Sequence, residues 1–220
     1  MVLNVIAALI LTIQTSGPEH VTFPTEDGGT IHADVYGRGE RAVVLVHGGR
    51  FNKESWAKQA PALVEAGFRV MAINLRGYGE SRGPGQQDIF SAPLHLDVLA
   101  AIRYLRRTGA KTVSLVGGSL GGGAASAAAI TAPAEVSRLV LLASDVENAE
   151  KLRTPSLFIL ARDDTSGDGP RLPRIRASYD KAAGPKEWIV LDGSAHAQFL
   201  FDTDQADRVM REIIRFLSAR

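Results

Sequence analysis

The sequence of 220 residues contains no cysteine, so disulfide bonds, thiolate zinc sites and cysteine nucleophiles are all excluded. It also has no excess of charge of one sign, because 25 lysine and arginine residues nearly balance 24 aspartate and glutamate residues. The net charge of +1 provides no extended field for a polyanion, and nucleic acid is therefore not an expected partner. The most basic stretch, residues 171–176 (RLPRIR), is interpreted as a solvated loop and helix start.

A hydrophobic run long enough to span a bilayer comfortably is missing as well. Residues 2–13 (VLNVIAALILTI) are nearly all apolar, too few to span a bilayer comfortably but suited to the hydrophobic region of a secretory signal. No lysine or arginine precedes them and residues 14–17 make a poor cleavage site, so a strand or short helix packed on the domain is the alternative. We favour export, with residues 1–19 as a signal peptide or N-terminal extension, residues 20–220 as the folded domain, and no membrane span in the mature protein.

The remaining chain alternates between strand-like and helix-like patterns. Continuous apolar runs, typical of parallel strands with helices on both faces, occupy residues 42–46, 70–73, 113–116, 139–143, 157–161 and 188–191. Apolar positions at helical spacing predict helices over 56–66, 94–105 and 206–217, the last with Thr203 as its N-cap. Short runs at 21–23 and 31–35, joined by Glu-Asp-Gly-Gly, predict an antiparallel hairpin. The sequence therefore predicts an α/β fold with a doubly wound, mostly parallel sheet and an N-terminal antiparallel hairpin.

The most informative stretch is residues 113–129, which read VSLVGGSLGGGAASAAA. An apolar run, two glycines, Ser119, further glycines and a run of alanines predict a strand, a sharp turn and a helix. Residues 117–121 fit G-x-S-x-G, the nucleophile elbow, in which the serine lies on a strained turn and exposes its hydroxyl. Glycine is expected on either side because a Cβ there would collide with the neighbouring strand or the helix start. A glycine-rich turn with an incidental serine is the alternative, whereas the lysine of a phosphate loop is absent.

Several motifs occur in a fixed order along the chain: LVHGGRF followed by Trp56, then INLRGYGES, VGGSLGGG and GSAH. Together they resemble the α/β-hydrolase superfamily, over about residues 20–220. The resemblance implies an oxyanion hole formed by the backbone N–H groups of Gly49, with Arg50 as the alternative, and of Leu120. In the second motif Asn74 replaces the family's first aspartate, and we expect this change to affect the turn and not the chemistry.

A serine hydroxyl is a weak nucleophile until a base accepts its proton, so a histidine is required beside Ser119. His196 is the candidate among five histidines, because it follows the last apolar run and therefore lies at the carboxyl edge of the sheet. Structural or surface roles are expected for the others: His20, His32, His47 and His95.

The resemblance also implies a carboxylate, located between the serine and the histidine in the chain, that orients the histidine. Residues 157–164 (LFILARDD) resemble the family's strand followed by G-x-x-D, with Ala161 in the place of the glycine. This alignment selects Asp164 over its neighbour Asp163. Asp145, which follows the preceding strand, is the alternative.

The connection between the apolar runs ending at residue 143 and starting at residue 157 is only about a dozen residues long. Family members with a cap commonly carry it there, so the chain resembles compact, lidless members such as dienelactone-hydrolase-like proteins and small serine esterases. The resemblance implies a serine hydrolase that cleaves a small ester, lactone or thioester through an acyl-enzyme intermediate, without a metal or organic cofactor. The alternatives are a non-catalytic ligand-binding or sensor protein on the same scaffold, a cofactor-free haloperoxidase and a carbon–carbon hydrolase.

Overall fold

The computed structural model describes residues 17–219, which form one central sheet of eight strands with helices on both faces. The possible signal segment, residues 2–13, lies outside the described residues. The strands of the sheet, in chain order, are β1 (Glu19–Pro24), β2 (Thr30–Tyr36), β3 (Arg41–Val46), β4 (Arg69–Ile73), β5 (Thr112–Gly118), β6 (Leu139–Leu142), β7 (Ser156–Ala161) and β10 (Lys186–Leu191). A separate two-stranded hairpin is formed by β8 (Thr165–Ser166) and β9 (Gly169–Pro170).

The spatial order of the strands is β1-β2-β4-β3-β5-β6-β7-β10. β1 pairs with β2, and β2 with β4, in antiparallel fashion, whereas every other pair in the sheet is parallel. The doubly wound, mostly parallel sheet with an N-terminal antiparallel hairpin is thus confirmed. Because β3, β5, β7 and β10 run in the same direction, the loops that follow them meet at one edge of the sheet.

The helices cover the sheet on two sides. One apolar core contains residues of α2 (His95–Arg107), α3 (Leu120–Thr131) and α4 (Arg171–Lys181), and the other contains residues of α1 (Ala60–Glu65) and α5 (Ala206–Ser218). Within residues 17–219, no helix combines the length and the apolar character needed to cross a membrane. The connection from β6 to β7 contains only a 3₁₀ helix, Ala149–Lys151, so the fold carries no cap there.

Several predicted elements were wrong in detail. The helix predicted over residues 56–66 is a 3₁₀ helix, Lys53–Trp56, followed by the shorter α1. Pro61 explains the break, because proline is tolerated in the first turn of a helix but cannot lie in its interior. The N-cap of α5 is Gln205 rather than Thr203, whose hydroxyl instead accepts a hydrogen bond from the N–H of Gln205. β10 is an edge strand and is buried only at Leu191, so it is not the fully covered strand that its apolar run predicted.

An ion network holds the turn that follows β4. Arg76 is completely buried and donates hydrogen bonds to the buried carboxylate of Asp97 and to Asp27, which lies in the turn between β1 and β2. These contacts tie the turn to α2 and to the N-terminal hairpin. Asn74, also buried, accepts a hydrogen bond from the N–H of Lys53 through its Oδ1. Its role in this structure is to connect two loops.

Candidate active site

Ser119 occupies the strained turn between β5 and α3. Its backbone dihedrals, φ 49° and ψ −117°, lie in a region that residues other than glycine rarely adopt. A Cβ added at Gly117 would lie 2.5 Å from the carbonyl oxygen of Gly121 at the start of the helix. A Cβ at Gly121 would lie 2.4 Å from the carbonyl oxygen of Val46 on the neighbouring strand. The elbow therefore requires both glycines, for the steric reasons that the sequence suggested.

The three residues that the sequence selected form one chain of hydrogen bonds. The Oγ of Ser119 lies 2.8 Å from Nε2 of His196, and Nδ1 of His196 lies 2.6 Å from Oδ2 of Asp164. The side chain of Asp164 is only 1% exposed. A carboxylate accepts hydrogen bonds, so it selects the tautomer with the proton on Nδ1 and leaves Nε2 free to accept the serine proton. This arrangement can deprotonate a serine and stabilise the imidazolium that results.

The alternative acids and the other histidines lie elsewhere. Asp163 is exposed and its N–H donates to the carbonyl of Gly193. Asp145 pairs with Arg174, with an oxygen–nitrogen distance of 2.9 Å, and does not contact His196. His20 bonds to Asp34, His32 lies near Glu80, and His95 starts α2 at the edge of the cavity described below.

His47 anchors the turn after β3. Its Nδ1–H donates to the carbonyl of Gly48 and its Nε2 accepts the N–H of Leu75, at 2.9 and 3.2 Å. Complete burial of the ring lowers the pKa of His47 from its ordinary 6.5 to about 4, although the bond to Gly48 opposes this shift. His47 is therefore neutral at pH 7, and it holds the His-Gly-Gly turn against the turn that follows β4.

The same turn presents the predicted oxyanion donors. The N–H of Gly48 is already bonded to Oε1 of Gln198, at 2.9 Å. Among the hydrogen bonds of residues 17–219, none uses the N–H of Gly49 or Arg50. Leu120 is the first residue of α3, so its N–H has no acceptor within the helix. Gly49 and Leu120 lie close together, since a Cβ on Gly49 would be 3.6 Å from Cδ2 of Leu120.

Sequence reasoning missed three residues that support this geometry. Gln198 is buried and links Gly48 to Oγ of Ser55, to which its Nε2 donates at 2.8 Å. The hydroxyl of Tyr78 donates to the carbonyl of Gly49, at 2.9 Å. Ser144 similarly donates from its hydroxyl to the carbonyl oxygen of Ser119, at 3.0 Å. One signal was available, because Gln198 is a polar residue two positions after His196 in an otherwise apolar stretch.

An open cavity of about 1210 Å³ lies above Ser119 and His196. Its apolar wall includes Phe51 and Phe199, whose ring centroids are 4.9 Å apart, and the exposed Phe90. Charged side chains also line the cavity: Asp145, Glu147, Arg171 and Arg174. Within the part of the chain that the structure describes, no three histidine or acidic side chains are grouped closely enough to hold a metal ion.

Comparison with known proteins identifies the family and the fold to which this chain is similar. A family model described as alpha/beta hydrolase fold matches residues 41–180. The chain is 39% identical over 83 residues to bifunctional epoxide hydrolase 2 of Sus scrofa. The aligned segment is 37% of this chain and 14% of that protein. It is 31% identical over 125 residues to a 2-hydroxy-6-oxononadienedioate/2-hydroxy-6-oxononatrienedioate hydrolase of Paraburkholderia phymatum. That alignment covers 53% of this chain and 41% of that protein. The chain thus spans less than half the length of these curated relatives.

Among solved structures, an esterase from Exiguobacterium antarcticum has a similar fold. The two chains superpose with a TM-score of 0.75 at 16% sequence identity, over 91% of this chain and all of the esterase chain (100%). At this low identity the similarity supports the fold alone.

Proposed function

Because this chain belongs to the α/β-hydrolase fold family, we propose that it is a serine hydrolase that cleaves a small ester, lactone or thioester. The observation that carries the proposal is the continuous chain of hydrogen bonds from Asp164 through His196 to Ser119. A serine at the apex of a strained turn, within hydrogen-bond distance of an oriented base, has the arrangement that covalent acyl transfer requires.

In the first half of the reaction, Oγ of Ser119 attacks the acyl carbon while Nε2 of His196 accepts the hydroxyl proton. The buried carboxylate of Asp164 stabilises the imidazolium through the Nδ1–H bond. The carbonyl oxygen, now negative, accepts hydrogen bonds from the N–H groups of Gly49 and Leu120. Leu120 begins α3, so the positive end of the helix dipole also faces this oxygen.

The tetrahedral intermediate then collapses. The bond from carbon to the leaving oxygen or sulfur breaks, the leaving group takes the proton from His196, and the acyl group remains on Ser119. Water then gives a proton to His196 as its oxygen attacks the acyl carbon, and a second collapse returns that proton to Ser119 and releases the acid. The side chains end each cycle in their starting protonation states.

The oxyanion donors depend on groups behind them. Gln198 accepts a hydrogen bond from the N–H of Gly48, and Tyr78 donates one to the carbonyl of Gly49. The Gly48–Gly49 dipeptide is therefore restrained at both of its ends. Preorganised donors of this kind stabilise developing charge without reorganisation during the reaction.

The test is labelling with a fluorophosphonate, which reacts with activated serines, together with hydrolysis of p-nitrophenyl acetate. We expect the wild type to be labelled and Ser119→Ala to escape labelling, with turnover reduced by roughly 10⁴- to 10⁶-fold. Ser194→Ala is the matched control, because Ser194 lies in the exposed loop before His196, and this variant should behave like the wild type. An unlabelled, inactive wild type would favour the ligand-binding alternative. Normal labelling of a folded Ser119→Ala variant would refute the assignment of the nucleophile.

A further inference from the structure

Asp164 has two carboxylate oxygens, and the hydrogen bond to His196 uses only Oδ2. The other oxygen, Oδ1, faces Nε of Arg171 at 3.4 Å. That Nε is itself buried and makes no hydrogen bond to any residue that the structure describes. The guanidinium is therefore held beside a buried carboxylate, and Arg171 is also one of the residues that line the cavity.

The chain between these two residues is built to bring them together. β8 and β9 form a tight antiparallel hairpin, in which Thr165 pairs with Pro170 and Ser166 with Gly169. The hairpin reverses the chain directly after Asp164, and the N–H of Arg171 donates to the carbonyl of Asp164 at 2.9 Å. Arg171 is consequently joined to Asp164 by a backbone hydrogen bond, its guanidinium lies within ion-pair distance of the carboxylate, and it is also the first residue of α4.

We propose that Arg171 is a positioning residue for the Asp164–His196 pair, which rests on the serine hydrolase function proposed above. Its cation balances the charge of a carboxylate that is nearly inaccessible to water and restrains the oxygen that His196 does not use. Arg171 therefore keeps the carboxylate in the orientation that directs Nε2 of His196 towards Ser119.

Other charges near the pair are engaged elsewhere. In the loop after β7, Arg162 lies 3.8 Å from Asp192, and Asp163 faces solvent. On α4, Arg174 pairs with Asp145 at the cavity rim. The remaining charged or titratable residues of the cavity wall are Arg50, Tyr78, His95 and Glu147. Within residues 17–219, Arg171 is the one arginine or lysine within 4.0 Å of the carboxylate of Asp164.

The experiment measures kcat and KM for hydrolysis of p-nitrophenyl acetate at one neutral pH. Neutral replacements, Arg171→Gln and Arg171→Met, should lower kcat by about tenfold and leave KM nearly unchanged, because His196 is then less well oriented towards Ser119. Arg171→Lys retains the charge and should have a kcat close to that of the wild type. Arg174→Gln is the matched control, because it removes an arginine from the next turn of the same helix, and it should cause little change.

The NMR signal of the Nδ1–H proton of His196, assigned by its loss in His196→Gln, provides the second readout. In the neutral variants this signal should shift or broaden, because the carboxylate that accepts the proton is no longer restrained, whereas Arg171→Lys should retain it. An unchanged kcat and an unchanged signal in Arg171→Gln, or equal effects in Arg174→Gln, would overturn the proposal. The signal does not depend on turnover, so an inactive wild type would refute the proposed function and leave the Arg171 proposal to be decided by the signal.

Discussion

The buried ring of His47 should make the stability of this protein depend on pH. His47 is fully buried, its Nε2 accepts the N–H of Leu75, and its Nδ1–H donates to Gly48. Protonation would place a charge in an apolar environment and would replace the acceptor at Nε2 with a donor that faces another N–H group. The folded protein therefore resists protonation of this ring.

The size of the effect follows from the two pKa values. Burial lowers the pKa of His47 to about 4 in the folded protein, from 6.5 in an exposed chain. The unfolded chain thus binds this proton at higher pH than the folded protein. The stabilisation is fully present above pH 6.5 and is lost as the pH falls towards about 4. Between about pH 7.5 and 4.5 the linkage amounts to a loss of roughly 2–3 kcal/mol in the free energy of unfolding.

Urea denaturation at several pH values across this range measures the effect. Other groups titrate in the same window, so the informative quantity is the difference between the wild type and His47→Gln, whose amide oxygen can still accept the N–H of Leu75. We expect the variant to be less stable at neutral pH but to lose roughly 2–3 kcal/mol less on acidification. His95→Gln, at the partly exposed start of α2, should keep the wild-type dependence. Parallel pH dependences for His47→Gln and the wild type would refute the reasoning.

Further predictions concern the site and its support. Asp164→Asn should keep the geometry but favour the wrong tautomer, lowering kcat in an esterase assay by up to roughly 10⁴-fold, whereas Asp163→Asn should remain near the wild type. Equal losses in both variants would contradict this assignment. Gln198→Leu should leave the buried N–H of Gly48 without an acceptor, which costs about 1–3 kcal/mol in urea denaturation. The same variant should lower kcat more than it raises KM, because the displaced turn carries Gly49, the proposed oxyanion donor; an unchanged kcat would argue against that role. Gly121→Ala should reduce the melting temperature strongly, since its Cβ would lie 2.4 Å from a backbone oxygen of β3 that cannot move aside. A melting temperature equal to that of the wild type would show that the elbow tolerates a side chain there.

Much of the fold was accessible from local patterns. Apolar runs and helical spacing identified the parallel sheet, because burial on both faces imposes a continuous apolar sequence on a strand. The elbow was equally local, since a strained turn between a strand and a helix limits which residues can flank Ser119. The errors arose where local signals compete. A proline divided the helix predicted over residues 56–66, and the edge position of β10 depends on strand order, which periodicity does not encode.

The sequence by itself determined the scaffold, the elbow serine and the position of His196 after the last strand. Residue patterns alone left Asp163, Asp164 and Asp145 as alternatives, and only the resemblance favoured Asp164. The tertiary structure places the Asp164 carboxylate against His196 and turns Asp163 towards solvent. It also decided the supporting contacts, such as the bond between Gln198 and Gly48, which are 150 positions apart. Contacts of this kind depend on how loops from different strands meet, whereas the pattern of a sequence records only the environment of each segment along its own length.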